Sequence, residues 1–417
     1  MTIRMRITLS AVTTAALVGM ALLVLVPVAP CAGAGALDEG LASYRQNRLP
    51  EALPLLERAV AERPGDAEPL DWLAETQRRV GHRAEAVATA RRALALRPCD
   101  PFAHTVLGDT YNPQFADWEG ANQDSSLRHL RQAVACDSND SNAWIGLWEE
   151  GMRLGDPDLE HRSLRQLVAT GFLTPALLSY ERWLLRSLPD RAILLVNGDM
   201  DTYPAVALQE VEALRRDVTV VNLPLLNLGW YRSMVRARGV PVPFDEPELG
   251  ALEPLPEGKD WVFADRRMVR GWLAMQRDGR LTRPLTVAVT VADRDFEPGS
   301  AKRQTLMGGF WQTHAETTLA RVDTTAVRSH LMALDPREIA GPWVGPRDRS
   351  PVRLTSSEGL RDNPVASGMS WAQALLDAGQ KAPAREALLW TERFARAAKA
   401  TSGILDRLGE LRRSLGP

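Results

Sequence analysis

The first half of the chain repeats one pattern of small, apolar and polar positions. The stretch EALPLLERAVAERPGD, which begins at Glu51, corresponds to AEAVATARRALALRPCD, which begins at Ala84. Three of its residues recur 34 positions later, with Ala52, Ala59 and Pro64 matched by Ala86, Ala93 and Pro98. In both stretches the apolar residues fall on one face of a helix, and a proline follows that helix. The pattern therefore predicts helices that recur with this period.

A second series of helices carries the same period. Gly40, Ala74 and Gly108 are each 34 residues apart, and Leu107-Gly108 is followed by Tyr111. The period and the L-G-x-x-Y core are typical of the tetratricopeptide repeat, which the first half of the chain resembles. Because one repeat cannot bury its apolar face alone, the resemblance implies a solenoid of stacked helix pairs.

The array departs from its period after the second repeat. The third repeat spans 40 residues rather than 34, so six residues are inserted around residues 112–123. A fourth helix pair is predicted over residues 142–156 and 159–171. A further helix over residues 175–188 is expected to cap the stack.

The concave surface of such an array is its usual binding surface. The repeat register places seven side chains there: Tyr44, Asp71, Glu75, Arg78, Asp109, Asn112 and Glu149. Four of the seven are carboxylates, so we expect a protein or peptide partner that carries basic groups. The alternative is that the array packs only against the rest of its own chain.

The middle of the chain alternates short apolar runs with helical stretches. Residues 193–196, 218–223 and 284–292 are predicted as buried strands, and residues 262–263 as a further short strand. A helix over about residues 202–216 joins the first two strands, which requires parallel pairing with a right-handed crossover. We therefore expect an α/β domain with a mostly parallel sheet after the solenoid.

Polar side chains follow these strands at Asp199, Asp201, Asn222, Asp265, Asp293 and Asp295. Open parallel sheets bind ligands at this edge, and two carboxylates can hold Mg²⁺ or Mn²⁺ against a diphosphate. The simpler interpretation is local, with an Asx turn at Asp199 and Asp201 capping the next helix. We expect Arg266 and Arg294, rather than a metal ion, to balance these acids.

The second half also resembles a known family. Residues 197–231 are similar to a block in the soluble tail of large bacterial membrane proteins related to protein O-mannosyltransferases. The matching residues include Asn197, Gly198, Asp199, Asp201, Thr202, Pro204, Gln209, Glu210, Asp217, Asn222, Trp230 and Tyr231. The membrane glycosyltransferase unit of those proteins is missing here, and Met200 replaces their usual asparagine. The resemblance thus implies a fold and an exported setting, and it does not carry over an active site.

The N-terminus has the layout of a secretory signal. Arg4 and Arg6 precede an apolar run over residues 11–29, and small residues follow at 32–36. This order predicts a cleaved signal and a mature chain that begins near residue 35 or 37. One alternative is an uncleaved membrane anchor, because the run approaches the ~20 residues that span a bilayer. A second alternative is a lipid anchor at Cys31, for which the preceding proline is a poor match.

Composition limits the other function classes. The formal net charge of −2 gives no electrostatic reason to expect nucleic acid or an anionic membrane surface as a partner. The six histidines leave few options for zinc sites or serine triads, and no cofactor motif occurs, so we expect no cofactor and no metal. Cys99 and Cys136 are interpreted as two separate thiols.

These patterns predict four regions. They are a signal over residues 1–36, a repeat array over 37–190, an α/β domain over 191–335, and a linker with a C-terminal helical hairpin over 336–417. The expected function is that of an exported, non-enzymatic interaction or scaffold protein whose repeats bind a partner in the cell envelope. The alternative is a module that recognises a sugar or nucleotide sugar, or a glycosyltransferase-associated enzyme, acting through the acids at the strand ends.

Overall fold

The computed structural model describes residues 35–114, 118–318 and 321–414. Residues 1–34, which hold nearly all of the predicted signal, lie outside this description. None of the helices within the described ranges combines the length and the apolar character that a membrane crossing needs. The helices of the first half are α1 (Ala36–Arg45), α2 (Leu49–Glu62), α3 (Ala67–Arg79), α4 (Arg83–Leu96), α5 (Pro101–Tyr111), α6 (Gln123–Cys136), α7 (Asn142–Leu154), α8 (Pro157–Ala169) and α9 (Pro175–Ser187).

Successive helices pack in pairs, as the period predicted. The pairs are α1 with α2, α3 with α4, α5 with α6, and α7 with α8. A methyl group on Gly40 would lie 2.8 Å from Cδ2 of Leu56, and one on Gly108 would lie 2.7 Å from Cδ2 of Leu130. These positions must be small because a leucine of the neighbouring helix fills the space. The first half is therefore a tetratricopeptide-like helical solenoid. The six additional residues of the third repeat fall in the sequence between α5 and α6.

Cys99 and Cys136 form a disulfide, so the interpretation as two separate thiols was wrong. Cys99 lies in the turn between α4 and α5, and Cys136 is the last residue of α6. The two Cα atoms are 5.3 Å apart although 37 positions separate the residues in the sequence. The packing of α5 on α6 brings them together, because the start of one helix lies beside the end of the other.

The second half contains short strands and further helices. The strands are β1 (Ile193–Val196), β2 (Thr219–Asn222), β3 (Leu255–Glu257), β4 (Asp260–Val262), β5 (Leu285–Ala288), β6 (Gln304–Leu306) and β7 (Phe310–Thr313). The helices are α10 (Asp199–Val211), α11 (Gly229–Ala237), α12 (Glu246–Gly250), α13 (Ala264–Arg277), α14 (Thr324–Met332), α15 (Pro351–Ser356), α16 (Asn363–Asp377), α17 (Lys381–Ala397) and α18 (Ser402–Ser414).

The main sheet is mixed, which corrects the expectation of a mostly parallel one. Its strand order is β2-β1-β5-β7-β6. The strand β1 pairs in parallel with β2 and β5, whereas β7 pairs antiparallel with β5 and β6. The reason is the short turn over residues 307–309, which joins β6 to β7 and is long enough only for antiparallel neighbours.

The short strand predicted at residues 262–263 does not join this sheet. The strands β3 and β4 form a separate antiparallel hairpin. Every residue of β3 is exposed, and Val262 is the buried residue of β4. The hairpin therefore lies on the surface, because it has too few apolar side chains to enter the core.

Among the residues that the structure describes, two clusters of apolar side chains make up the core. One extends from Ala36 to Tyr111 within the first helices of the solenoid. The other extends from Leu130 through the fourth helix pair and the main sheet to Leu408 in α18. The predicted C-terminal helix pair corresponds to α16 and α17, whose turn contains Gly379 at a φ of +75°. The domain boundaries at residues 190 and 335 stay a prediction.

We expect the disulfide to contribute strongly to the stability of the solenoid. Replacing both Cys99 and Cys136 by serine should lower the free energy of unfolding by about 2–4 kcal/mol, the usual effect of releasing a loop of this length. Urea denaturation followed by circular dichroism measures the change. A reducing agent should produce the same loss in the wild type and none in the double variant. An equal free energy of unfolding for both proteins would contradict the bridge.

Candidate functional site

The concave surface of the solenoid is filled by a segment of the same chain. Residues 343–353, hereafter the inserted segment, reach this surface from the region after α14. Trp343 anchors the start of the segment, since its side chain is 2% exposed and its ring centroid lies 5.3 Å from that of Tyr180 in α9. At the other end, α15 packs against α1. At this surface the array therefore packs against its own chain, which is the alternative that the sequence left open.

Asn142, the first residue of α7, holds the backbone of the inserted segment. Its side-chain amide donates to the carbonyl of Arg347 (2.8 Å) and accepts from the N–H of Arg349 (3.2 Å). The two bonded groups flank Asp348, whose own N–H closes a turn on the carbonyl of Gly345 (3.1 Å), and the extended backbone of Ser350 then leads into α15. The contact therefore recognises main-chain atoms of a short stretch that follows a turn, and it requires a residue other than proline at position 349.

Arg349 is the most closely held side chain of the inserted segment. Its Nη1 donates to Oδ2 of Asp140 (2.7 Å), and its guanidinium carbon lies 3.9 Å from the centroid of the Phe102 ring. Its carbonyl oxygen lies 2.8 Å from the hydroxyl of Tyr44. The side chains of Arg349 and Asp140 are 15% and 6% exposed, so the ion pair is largely shielded from water. Aromatic and carboxylate groups from three repeats thus form one site, hereafter the arginine site.

The register could have revealed part of the arginine site. Phe102 and Asn142 are 40 positions apart, which is the length of the third repeat, so they hold equivalent positions in successive repeats. Both lie in the first turn of a first helix. Neither is among the predicted groove residues, which lie further along each first helix.

Arg353 makes a second set of charged contacts. It donates to Asp348 within the inserted segment (Nε to Oδ2, 2.6 Å) and to Asp199 at the start of α10 (Nη1 to Oδ2, 2.9 Å). Its guanidinium carbon lies 5.1 Å from the centroid of the Phe172 ring. Burial opposes its charge, but the carboxylates of Asp348 and Asp199 raise the pKa of Arg353 further above its ordinary value.

Three predicted groove residues form a network beneath the inserted segment. The hydroxyl of Tyr44 lies 3.1 Å from Oε1 of Glu75 as well as near the Arg349 carbonyl, so its single hydrogen serves one acceptor at a time. Glu75 accepts from Arg78 at 2.8 Å and 2.9 Å. Burial raises the pKa of Glu75, but Arg78 and Arg79 outweigh it and hold that pKa at about 2.

Asp71 is buried below the groove. Its Oδ2 accepts from Nη2 of Arg97 at 2.7 Å. Burial and then the neighbouring carboxylate of Asp100 raise the pKa of Asp71 to about 8, while Arg97 and Arg349 oppose this rise. The guanidinium of Arg349 in the inserted segment therefore favours the ionised form of Asp71 in α3.

The remaining predicted groove residues lie towards the sheet. Asp109 is within 3.6 Å of Arg78. Asn112 is buried at the C-terminal end of α5, where its side chain accepts from the N–H of Gln114. Glu149 accepts from the hydroxyl of Tyr203 in α10 at 3.1 Å. Burial and then the Asp199 carboxylate raise the pKa of Glu149 to about 8, with Asp109 adding to the rise.

Glu149 therefore joins the two sites that the sequence suggested separately. It belongs to the predicted groove, whereas Asp199 and Tyr203 belong to the helix that follows the first strand. One acidic surface runs from the repeats to the C-terminal edge of the sheet, and Arg353 of the inserted segment lies against that edge.

Asp201 does not occupy the cap position that the sequence analysis gave it. Gly198 is the N-cap residue of α10, and Asp201 is three residues further on. Its Oδ2 accepts from the N–H of Asn197 (3.2 Å) and from the hydroxyl of Thr290, which follows β5. It thereby stabilises the turn before the helix, much as the last residue of a capping box does. Burial raises the pKa of Asp201 to about 6.

The other acids and amides at the strand ends also contact protein groups. Asn222 donates to the hydroxyl of Thr202 and accepts from the N–H of Leu225. Arg266 pairs with Asp293, as predicted, whereas Arg294 instead lies over the ring of Trp311 at 3.7 Å.

Asp295 completes the loop. It accepts from Ser300 and from the N–H of Ala301, and that backbone hydrogen bond lowers the pKa of Asp295. Asp293 and Asp295 are exposed and lie in the loop after β5. Within the described ranges, no group of three or more His, Cys, Asp or Glu side chains is placed to hold a metal ion.

Glu181 of α9 is a buried acid that the sequence analysis did not select. Its side chain is 0% exposed, and neither carboxylate oxygen has a hydrogen-bond partner among the described residues. Burial and then the carboxylate of Asp201 raise the pKa of Glu181 well above its usual range. Burial and the Asp201 carboxylate therefore both favour the neutral form of Glu181.

Glu149 should make stability depend on pH in a defined direction. In the unfolded chain its pKa is about 4.3, so between about pH 4 and pH 8 the folded state holds a proton that the unfolded state has lost. The stability that this bound proton on Glu149 contributes is fully present below that window and is lost as the pH rises through it. Relative to wild type, Glu149→Gln should therefore gain stability with rising pH, by at most about 1.4 kcal/mol per pH unit.

Chemical denaturation at pH 4.5, 6 and 8 measures this difference. Glu57→Gln, at an exposed position on α2, is the control and should track the wild type throughout. A constant difference between Glu149→Gln and wild type over the three pH values would show that Glu149 is ionised in the folded state.

The arginine site should contribute to stability in the intact protein. Arg349→Ala leaves the Asp140 carboxylate shielded without its partner, so we expect a loss of about 2–4 kcal/mol, near the range for a broken buried pair. A double-mutant cycle with Asp140→Ala should give a coupling of about 1–3 kcal/mol. Arg347→Ala is the matched control, because Arg347 and Asp137 are exposed and should cost at most about 1 kcal/mol. Equal losses for Arg347→Ala and Arg349→Ala would contradict the site.

Comparisons with known proteins agree with parts of this structure. A family model described as TMEM260-associated domain 2 matches residues 178–245, which run from α9 to the loop after α11. This range includes the block that resembles the tails of the O-mannosyltransferase-related proteins.

Two curated relatives and one solved structure are similar to parts of the chain. Cellulose synthase operon protein C of Escherichia coli K12 and its counterpart in Escherichia coli O157:H7 are each 32% identical over 122 residues. That match covers 26% of this chain and 10% of the relatives, so the chain spans about a tenth of their length. A thermophilic TPR protein of Thermus thermophilus is 26% identical, with a TM-score of 0.32, and covers 42% of this chain and 90% of its own.

Proposed function

We propose that the protein is an exported, non-enzymatic scaffold whose solenoid binds an extended segment of a protein or peptide partner in the cell envelope. The observation that carries the proposal is the way in which Asn142 holds the inserted segment. The amide pairs with the backbone on both sides of residue 348, at 2.8 Å and 3.2 Å. A surface with this contact accepts any extended chain whose side chains suit the neighbouring positions.

Two features support the exported setting. The N-terminal layout of basic, apolar and small residues is that of a secretory signal. The disulfide between Cys99 and Cys136 forms and persists in oxidising compartments such as the periplasm or the extracellular space.

A sugar-recognition or catalytic role is the weaker candidate. Asp201 and Asn222 are buried, and their polar atoms contact Thr290, Thr202 and the backbone. Asp199 is paired with Arg353. A ligand at this edge would have to displace those contacts, whereas a polypeptide at the groove needs only to replace a segment of the same kind.

Site-directed photo-cross-linking in living cells tests the proposed function. A photoreactive phenylalanine analogue at Asp109, a partly exposed groove position, should give a discrete protein adduct in the envelope or secreted fraction. The same analogue at Arg92, an exposed position of α4, is the matched control and should give none. The Asn142→Ala substitution should weaken the Asp109 adduct several-fold, because it removes both backbone bonds.

Adducts of equal yield from both positions, or adducts that Asn142→Ala leaves unchanged, would place any partner outside the groove. Recovery of the whole protein from the cytoplasm with an intact N-terminus would contradict the exported setting.

A further inference from the structure

We propose that the partner presents an arginine within an extended stretch, and that the inserted segment occupies the arginine site until such a stretch displaces it. This inference rests on the proposed function and specifies its partner. The starting observation is that the solenoid already binds a polypeptide, so the bound chain shows which chemistry the surface accepts.

The backbone of the inserted segment contributes affinity without specificity. Asn142 pairs with Arg347 and Arg349, and the Tyr44 hydroxyl lies 2.8 Å from the carbonyl of Arg349. All of these bonds use main-chain atoms. A chain that follows the same backbone path, with a residue other than proline at the position of Arg349, could therefore replace the inserted segment here.

The arginine site contributes the specificity. Phe102 contacts the face of the guanidinium at 3.9 Å, and Asp140 accepts from its edge at 2.7 Å. A planar cation that stacks on a ring and also donates along its edge is an arginine rather than a lysine, because an ammonium group has no flat face. Asp71 and Asp109 also lie close enough to respond to this cation, since the guanidinium of Arg349 opposes the rise that burial causes in the pKa of both carboxyls.

The neighbouring positions of the inserted segment are less demanding. Arg347 is 56% exposed and pairs with an exposed Asp137, and Pro346 is also exposed. Specificity therefore centres on Arg349, while positions 346 and 347 are free to vary and the adjacent Asp348 and Ser350 are buried. A partner needs one arginine in an extended stretch and no particular residue two positions before it.

The inserted segment competes with any such partner. Because it is part of the same chain, its local concentration is in the millimolar range. A partner binds only to the fraction of molecules in which the groove is open, so its apparent dissociation constant is the intrinsic one divided by that open fraction. Substitutions that expel the inserted segment should therefore strengthen binding of a second chain.

Gly345 offers a way to expel it without touching an arginine. A methyl group on Gly345 would lie 2.6 Å from the carbonyl oxygen of Gly171 and 2.8 Å from the Cα of Phe172. Both are backbone atoms that cannot move aside easily, so Gly345→Val should push the inserted segment off this surface. The pair Arg349→Ala with Arg353→Ala opens the groove by a second route, through loss of attraction.

The test uses a fluorescent peptide with the sequence of residues 343–355, WVGPRDRSPVRLT, and measures its binding to the full-length protein by fluorescence anisotropy. Gly345→Val and the double arginine variant should each bind the peptide at least ten times more tightly than wild type. A peptide in which the residue equivalent to Arg349 is alanine should lose at least tenfold in affinity. The peptide with alanine in place of Arg347 is the matched control and should bind normally. Phe102→Ala in the Gly345→Val background should weaken the preference for arginine over lysine, because it removes the ring face and leaves Asp140 in place.

Three results would overturn the inference, and they differ in what they mean for the proposed function. Equal affinity of wild type and both opened variants would show that the inserted segment does not guard the groove, while leaving peptide recognition in place. No binding to any variant, with folding verified by circular dichroism, would remove peptide recognition and with it the proposed function. Light scattering that finds opened variants as dimers, which the peptide dissociates, would make a second copy of this chain the occupant.

Discussion

The structure depends on one contact between distant parts of the chain, the seating of Arg349 in the concave surface. Phe102 comes from the third repeat and Asp140 and Asn142 from the start of the fourth, and each contacts this one residue or its backbone. The contact fixes the path of the chain between α14 and α15, and it places Arg353 against the edge of the sheet. It also accounts for the acidic character of the groove, since a surface rich in carboxylates is unfavourable unless cations lie against it. The solenoid and the sheet are thus linked through arginines as well as through their shared apolar core.

How far the sequence predicted this fold depends on whether each feature is local. The 34-residue period predicted the helix pairs well, because the small residues that set it, such as Gly40 and Gly108, are required by direct packing on Leu56 and Leu130. The strands β1 and β2 were also predictable, since a helix between two buried runs requires parallel pairing. The antiparallel half of the sheet was missed, because β6 and β7 are short and their order depends on tertiary packing. The disulfide was missed for a related reason, since residues 37 positions apart meet only through the packing of two helices.

The candidate site was predictable in its chemistry and not in its occupant. The repeat register identified an acidic concave surface and a need for basic groups, and Tyr44 lies against the inserted segment as that register implied. The basic groups are arginines of the same chain, in a stretch of glycine, proline and arginine that has no periodic pattern and was interpreted as a linker. Sequence reasoning also treated the groove and the strand ends as two sites. They form one surface because α10 places Tyr203 and Asp199 beside Glu149.

The charge balance of this surface gives a reason for its selectivity. Asp71 and Glu149 have pKa values raised to about 8, so at neutral pH each carries a proton for much of the time. A cation placed near these acids favours their ionised forms, and the attraction between cation and carboxylate then grows as the proton leaves. A neutral side chain in the same position would gain no such attraction and would leave the Asp140 carboxylate shielded and unpaired. The groove therefore selects against uncharged chains, because they leave the Asp140 carboxylate unpaired, and it selects for arginine by attraction. Using both effects is the more effective way to build specificity into a surface that also holds the backbone of its partner.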